Sequence, residues 1–167
     1  LATRERWMGA AILLALAALA KETTLLCAAG IVLFLLQERR WRSAALVMII
    51  AAAPFLAWQI ALLAWVGTPG IGSGGALATP FEIIPYAGVW RIASEGGLLV
   101  FLVLGVLLVL PAAVLPSLWG LWRALRDWRV GQCDLSACLL LANAAIMPFV
   151  PFSTYREFLG LLRFMPG

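Results

Sequence analysis

The chain contains no histidine, only one lysine and few charged side chains, which make up 12% of its 167 residues. Without histidine it lacks the most frequent general base of enzymes and a frequent ligand of zinc, so sites built on that residue are excluded. The three cysteines, Cys27, Cys133 and Cys138, are odd in number and are interpreted as small packing residues. The glycine-rich segment 67–75 follows no predicted strand and precedes no Gly-Lys-Ser/Thr sequence, so it does not indicate a nucleotide-binding loop.

Apolar sequence dominates the chain: 64% of the residues are hydrophobic, and the mean hydropathy is +1.02. Apolar runs of the ~20 residues needed to cross a bilayer recur along the whole length. We therefore expect an all-α, polytopic transmembrane helix bundle that forms one membrane domain over residues 1–167 and belongs to a longer protein. The predicted spans, about five, cover residues 3–20, 23–37, 43–66, 97–122 and 135–150, and a sixth helix begins near residue 155.

Lys21 and Glu22 stand side by side within the apolar tract 7–36, where an ionised side chain is costly at hydrocarbon depth. One long helix over this tract would place the arginines before it and those after it on opposite sides of the membrane, against the positive-inside rule. Two short helices joined by a turn at Lys21 put both groups on the cytoplasmic side. Eight of the 12 basic residues then face the cytoplasm, namely Arg4, Arg6, Arg39, Arg40, Arg42, Arg123, Arg126 and Arg129.

This topology makes residues 67–96 a non-cytoplasmic loop. Within it, the motif Thr79-Pro80-Phe81-Glu82 fits a capping box with proline at the first helical position. The motif predicts a short helix that is interrupted at Pro85. Because apolar side chains are concentrated in the segment 81–90, we expect this helix to lie in the outer membrane interface.

Most of the remaining charges gather on the non-cytoplasmic side, and each has a purely structural interpretation beside a functional one. Arg91 and Glu95 are four residues apart and can simply pair on a helix. Lys21 and Glu22 can form a plain polar turn between two helices.

A second set of cations lies on one stripe of the last predicted helix. Arg156, Gly160 and Arg163 are spaced four and three residues apart, and the helical rise places Arg163 roughly 12 Å inside the membrane. Cations buried at one membrane face with few carboxylates predict a site for a phosphate or pyrophosphate headgroup. Snorkelling of Arg163, or its pairing with another helix, is the alternative.

Three short stretches resemble a known family. They are Ala-Ala-Leu-Ala-Lys-Glu-Thr at residues 17–23, the basic turn Glu-Arg-Arg-Trp-Arg at 38–42, and the segment 155–163 that begins Tyr-Arg-Glu-Phe. With these motifs the chain resembles part of a bacterial polytopic glycosyltransferase of the GT-C superfamily, which includes the protein mannosyltransferase-like and aminoarabinose-transferase-like enzymes.

The resemblance implies an enzyme that moves a sugar from a polyprenyl-phosphate carrier to a cell-surface acceptor at the non-cytoplasmic face. Lys21 matches the turn lysine of the family and would neutralise the carrier phosphate, and the geometry of Arg156 and Arg163 adds them to the phosphate-binding set. The general base of the family lies in a first external loop that precedes this chain, so no catalytic residue is assigned. The residues expected to support the site are Glu22, Glu82, Arg91, Tyr155 and Glu157.

These expectations place the protein in the bacterial inner membrane as a multi-pass protein, with the turns 38–42 and 123–129 in the cytoplasm. The expected partners are the lipid bilayer and a polyprenyl-phosphate-linked sugar. Nucleic acid is not expected, because the net charge of +4 follows from the topology. No cofactor and no metal ligand is assigned; a divalent metal is left open, and the sequence gives no indication of the oligomeric state.

Two other classes of function stay open. A transporter or flippase would bind an anionic lipid-linked substrate through the same cations, and it would show a duplicated half or a matching pair of broken helices, neither of which the sequence contains. A noncatalytic membrane subunit would use Lys21 and Arg163 only to fix helix packing.

Overall fold

A computed structural model of the chain describes residues 2–68, 70, 82–131 and 134–156, and it gives only the backbone of residues 2–6, 104, 155 and 156. All regular structure in these ranges is helical, so the predicted all-α class is confirmed. The helices are α1 (Ala2–Ala20), α2 (Thr24–Gln37), α3 (Trp41–Val66), α4 (Ala87–Val100), a π-helical segment (Phe101–Val114), α5 (Leu115–Arg129), α6 (Leu135–Ile146), a 3₁₀ turn (Met147–Phe149) and α7 (Phe152–Arg156).

Two of the described helices are long and apolar enough to cross a membrane, as judged by length and composition: Trp41–Val66 and Gly105–Arg129. Three further apolar helices are shorter, Trp7–Ala20, Thr24–Gln37 and Leu135–Phe149. A bundle of about five spans therefore stays a prediction. The end of α3 agrees with the expected one, because Gly67 adopts a φ of 78° that glycine alone accepts without strain and its N–H caps the carbonyl of Leu63.

The chain divides into two compact units. Unit 1 contains residues 1–71 and 123–143, and unit 2 contains residues 72–122 and 144–167. The prediction of a single membrane domain over residues 1–167 stays a prediction, because a division by contacts does not test it. Each unit has its own apolar core among the described residues and is treated separately below.

Unit 1 is built on α1, α2 and α3, which alternate in direction. Trp7 near the start of α1 lies 6.0 Å, ring centroid to ring centroid, from Phe34 near the end of α2, so these two helices run antiparallel. α3 then begins beside that end after the short turn at residues 38–40. The core between the three helices combines small with branched side chains: Ala11, Ile31, Leu35, Ala44 and Val47. Alanine at these positions lets the helix backbones come close.

The helix α6 joins this unit through its first two turns. It begins after Asp134, whose carboxylate accepts hydrogen bonds from the Ala137 N–H at 2.8 Å and from the Ser136 hydroxyl at 2.8 and 2.9 Å. The Ala137 N–H first, and the Ser136 hydroxyl second, lower the pKa of the Asp134 carboxyl from its ordinary 3.8. Asp134 is therefore an N-cap of α6 in its ionised form.

Unit 2 is organised by a break at Gly97. Its φ of 77° and ψ of 174° interrupt α4, and the chain turns so that α4 packs against the π-helical segment. Gly97 is again a position where a side chain would be strained. The core beneath α4 contains Ile92, Val109, Ala113, Val150 and Phe152.

The helix predicted in the loop exists but starts later than expected. The capping-box interpretation of Glu82 was wrong, because α4 begins at Ala87 and Glu82 lies outside any helix; residues 79–81 are outside the described ranges. The physical reason is a competing partner: the Glu82 N–H donates to the carbonyl of Phe149 at 3.0 Å. Placement of α4 in a membrane interface stays a prediction.

Candidate functional site

The Lys21 turn has the geometry that the sequence predicted. The Lys21 N–H closes α1 on the Ala17 carbonyl at 2.8 Å, and the carbonyls of Lys21 and Glu22 accept hydrogen bonds from Thr24 and Leu25 at 3.1 and 3.0 Å as α2 begins. The side chain of Lys21 is partly buried, whereas that of Glu22 is exposed. The two neighbours thus differ in environment, and the lysine is the one held against the protein.

Thr23 adds an unusual feature to this turn. Its hydroxyl oxygen is buried and has no hydrogen-bond partner among the described residues. A buried hydroxyl without a partner costs roughly 1–3 kcal/mol, so such groups are rare unless water or a ligand supplies the missing bond. The unpartnered hydroxyl is not predictable from the sequence, because threonine before a helix ordinarily caps it, and here no side-chain cap forms.

In unit 1, α3 extends past the level of the Lys21 turn. The turn 38–40 joins the end of α2 to the start of α3. Measured from this turn, α2 has 14 residues and α3 has 26, so α3 extends roughly 18 Å farther at helical rise. The buried side chains of α3 end at Phe55. Beyond it Ile60, Trp65 and Val66 are 68%, 82% and 68% exposed. The second half of α3 therefore stands past the level of Lys21.

A second polar cluster lies in unit 2 around Arg91. Its guanidinium donates to the Glu82 carboxylate at 3.1 Å and lies 3.7 Å from the Glu95 carboxylate. It also lies 5.5 Å above the ring of the buried Phe152, within cation–π range. The structural pairing of Arg91 with Glu95 is confirmed, and the stronger partner, Glu82, is a tertiary contact that helical spacing does not reveal.

This cluster carries a net negative charge, so it does not favour an anion. One arginine faces two carboxylates, and the side chains of Arg91 and Glu95 are 46% and 50% exposed, so water screens their attraction. Glu82, 14% exposed, is the more firmly held partner. The geometry gives Arg91 a positioning role, holding the segment before α4 to α4 itself.

Tyr86 fixes the start of α4 through both its backbone and its side chain. Its N–H donates to the Pro148 carbonyl at 2.6 Å, and its hydroxyl lies 2.8 Å from the hydroxyl of Ser117, a buried polar residue of α5. Ser117 gives its single proton to the Val114 carbonyl, so Tyr86 is the donor of the shared bond. The sequence predicted an interfacial helix over the segment 81–90, which contains Tyr86, but it does not indicate Ser117 as a partner.

The other predicted phosphate-binding residues are placed only in part. Tyr155 and Arg156 end α7, where the structure describes their backbone, while Glu157 and Arg163 lie outside the described residues. Lys21 belongs to unit 1, and Arg91 and Arg156 belong to unit 2. The predicted convergence of Lys21, Arg156 and Arg163 on one cavity therefore stays a prediction.

Neither a metal centre nor a polar cavity stands out in the part of the chain that the structure describes. No group of three or more Asp, Glu, Cys or His side chains there is arranged to hold a metal ion. One groove of unit 1 is apolar and shallow, and the residues that line it are Trp7, Met8, Ser43, Leu46, Val47 and Ile50.

No protein-family model matches the chain, and no curated protein or solved structure is significantly similar to it.

Proposed function

We propose that the chain is part of a polytopic membrane protein and acts as a glycosyltransferase of the GT-C type, which moves a sugar from a polyprenyl-phosphate carrier to a cell-surface acceptor at the non-cytoplasmic face. The membrane part of the proposal is supported by the exposed apolar surface of the two long helices. Only 17% of the most apolar stretch of Trp41–Val66, and 28% of that of Gly105–Arg129, is buried within the protein. A core helix of a soluble protein buries its apolar surface, whereas lipid accepts an exposed one.

The level of Lys21, short of the far end of α3, carries the functional part of the proposal. If α3 crosses the bilayer, a turn roughly 18 Å short of its end lies well below the headgroups. A cation at that depth is costly, so it is kept where it meets a charged partner or substrate. The buried hydroxyl of Thr23, which has no partner among the described residues, lies in the same turn.

The task of Lys21 in the reaction is electrostatic. During transfer, the bond between the sugar C1 and the carrier phosphate oxygen breaks, a hydroxyl oxygen of the acceptor bonds to C1, and the proton of that hydroxyl passes to a general base. The phosphate leaves with increased negative charge, which an ammonium group held in place stabilises.

The polar cluster of unit 2 has a supporting part in this proposal. Arg91 and Glu82 tie the segment before α4 to that helix, and Tyr86 ties it to Ser117. We propose that this segment lies at the outer interface, where the exposed Ile83, at 91%, meets lipid.

A transporter is the second candidate, favoured by the broken helices of unit 2. The break at Gly97 interrupts α4, and residues 150 and 151 separate the 3₁₀ turn from α7. Discontinuous helices line the substrate sites of many transporters. The same lysine would then bind an anionic substrate in transit, without breaking a bond.

The deciding experiment compares Lys21→Met with Lys21→Arg in the full-length protein. The probe is a polyprenyl phosphate, with the corresponding polyprenol as the ligand that lacks the charge. Because a hydrogen bond to a charged group contributes about 1.5–3 kcal/mol, Lys21→Met is expected to weaken binding of the phosphate at least about tenfold and to leave polyprenol binding unchanged. Lys21→Arg retains the charge and should keep most of the affinity.

Turnover separates the classes of function. Consumption of polyprenyl-phosphate-linked sugars by the wild type, and its loss in Lys21→Met with normal membrane insertion, supports the transferase. Movement of an intact lipid across vesicles, with no consumption, identifies a transporter instead. Glu38→Gln, an exposed change at the other end of α2, is the matched control and should behave as the wild type. Equal phosphate binding by Lys21→Met and wild type would remove the proposed role of the lysine.

A further inference from the structure

The end of unit 1 opposite the Lys21 turn carries a concentration of arginines. The Gln37 side-chain oxygen at the end of α2 lies 3.8 Å from the sulfur of Cys138. Cys138 is in the first turn of α6, the helix that Asp134 caps. The turn 38–42 and the start of α6 therefore lie at one end of the unit, and α5 ends at Arg129, five residues before Asp134 along the chain. We call the six arginines there the arginine collar: Arg39, Arg40, Arg42, Arg123, Arg126 and Arg129.

The carboxylates at this end do not neutralise the collar. Among the side chains that the structure describes there are three of them, Glu38, Asp127 and Asp134, against the six arginines, which leaves an excess of three positive charges. Asp127 lies 3.8 Å from Arg123, and Asp134 is occupied as the N-cap of α6. The excess charge therefore faces outward, where it attracts anions.

Exposed tryptophans and apolar side chains accompany the collar. Trp41 is 64% exposed and Trp128 is 40% exposed, beside Arg42 and Arg129. One to two turns farther along α3, Met48 and Ile49 are 55% and 58% exposed. The order of cation, indole and aliphatic surface along a helix follows the order of headgroup, interface and hydrocarbon in a bilayer. A nucleic acid would match the charge and leave the aliphatic surface in water.

We infer that the arginine collar binds the phosphate groups of anionic phospholipids in the membrane leaflet that surrounds it. The inference rests on the membrane placement in the proposed function, and it adds a lipid site at the end of α2 away from Lys21. Arginine suits this partner because its planar guanidinium donates two parallel hydrogen bonds to phosphate oxygens. The indoles of Trp41 and Trp128 hold the collar at headgroup level.

The experiment uses the full-length protein in vesicles that contain brominated phosphatidylglycerol or brominated phosphatidylcholine, which quench nearby indoles. The quenching of Trp41 fluorescence is the difference between wild type and Trp41→Phe. The quenching of Trp65, at the far end of α3, is the difference between wild type and Trp65→Phe. We expect phosphatidylglycerol to be preferred at Trp41 and not at Trp65. Arg40→Gln with Arg42→Gln should reduce the preference by up to about fivefold for each charge removed, and 1 M salt should reduce it too.

Two variants guard against a folding artefact. Arg40→Lys with Arg42→Lys keeps the charge and should keep the preference, whereas Glu38→Gln removes a competing carboxylate and should increase it. Quenching of Trp41 to the same extent by both lipids would overturn the inference and leave the membrane placement intact. If neither lipid quenches Trp41 or Trp65, the chain is not embedded, and both the inference and the membrane part of the proposed function fail.

Discussion

Gly30 makes a sharp prediction about how α2 and α6 pack. A Cβ atom added to Gly30 would lie 2.8 Å from the Cα of Leu139 and 3.1 Å from the carbonyl oxygen of Cys138. Both are backbone atoms, which cannot rotate away as a side chain can. Replacing Gly30 by alanine must therefore displace α6 from α2.

The magnitude follows from two opposing effects. Ordinary contacts begin at 3.4 Å, so the backbones must separate by roughly 0.6 Å, and overpacking of this kind costs about 1–3 kcal/mol. Alanine also gains up to ~1 kcal/mol over glycine in a helix interior. We expect Gly30→Ala to lower the free energy of unfolding by up to about 2 kcal/mol.

The matched control is Gly9→Ala in α1, because nothing lies within 4 Å of a Cβ placed there. Both changes add one methyl group to a helical glycine, so the gain in helix propensity cancels in the comparison. The assay is thermal unfolding of the purified protein in detergent, where the Tm of Gly30→Ala should fall at least about 2 °C below that of Gly9→Ala. Equal Tm values would refute the close approach of α6.

Two further predictions concern polar contacts. Tyr86→Phe removes the only proton in its bond to Ser117, so we expect the free energy of unfolding to fall by about 0.5–1.5 kcal/mol. Combining it with Ser117→Ala should cost less than the sum of the single changes, and additive losses would contradict the hydrogen bond. For Asp134, the lowered pKa means that the native state binds fewer protons than the unfolded state, so its contribution is present above the ordinary 3.8 and is lost as the pH falls through the lowered value. Hydrogen-exchange protection of the Ala137 amide should decrease over that range. Asp134→Asn keeps a capping oxygen and should abolish the pH dependence. An unchanged pH dependence in this variant would show that another group causes it.

The sequence predicted the Lys21 turn and the extents of α2 and α3 closely. These features depend on local properties: a charge pair that cannot continue an apolar helix, and Gly67, which ends α3 in a left-handed conformation. The expected helix 23–37 and the observed Thr24–Gln37 differ by one residue. The i,i+4 pairing of Arg91 with Glu95 was equally local and was found.

The errors arose where a distant segment competes for a polar group. Glu82 fits a capping box by spacing, but its N–H and its carboxylate bond instead to Phe149 and Arg91. Spacing along the chain reports only the neighbours a residue has in its own helix. In the same way, the sequence around Ser117 shows only one small residue in an apolar run, and its hydrogen bond to Tyr86 forms only in the folded unit.

By itself the sequence determined the helical class, the turn at Lys21 and the arginine content of two turns, because apolar periodicity and charge are properties of short segments. The tertiary structure decided what those segments meet. It showed that α3 extends past the Lys21 turn, that Glu82 is the closer partner of Arg91, and that Gln37 lies beside Cys138. Such contacts depend on which helix faces pack together, and that choice is made by shape complementarity over the whole unit.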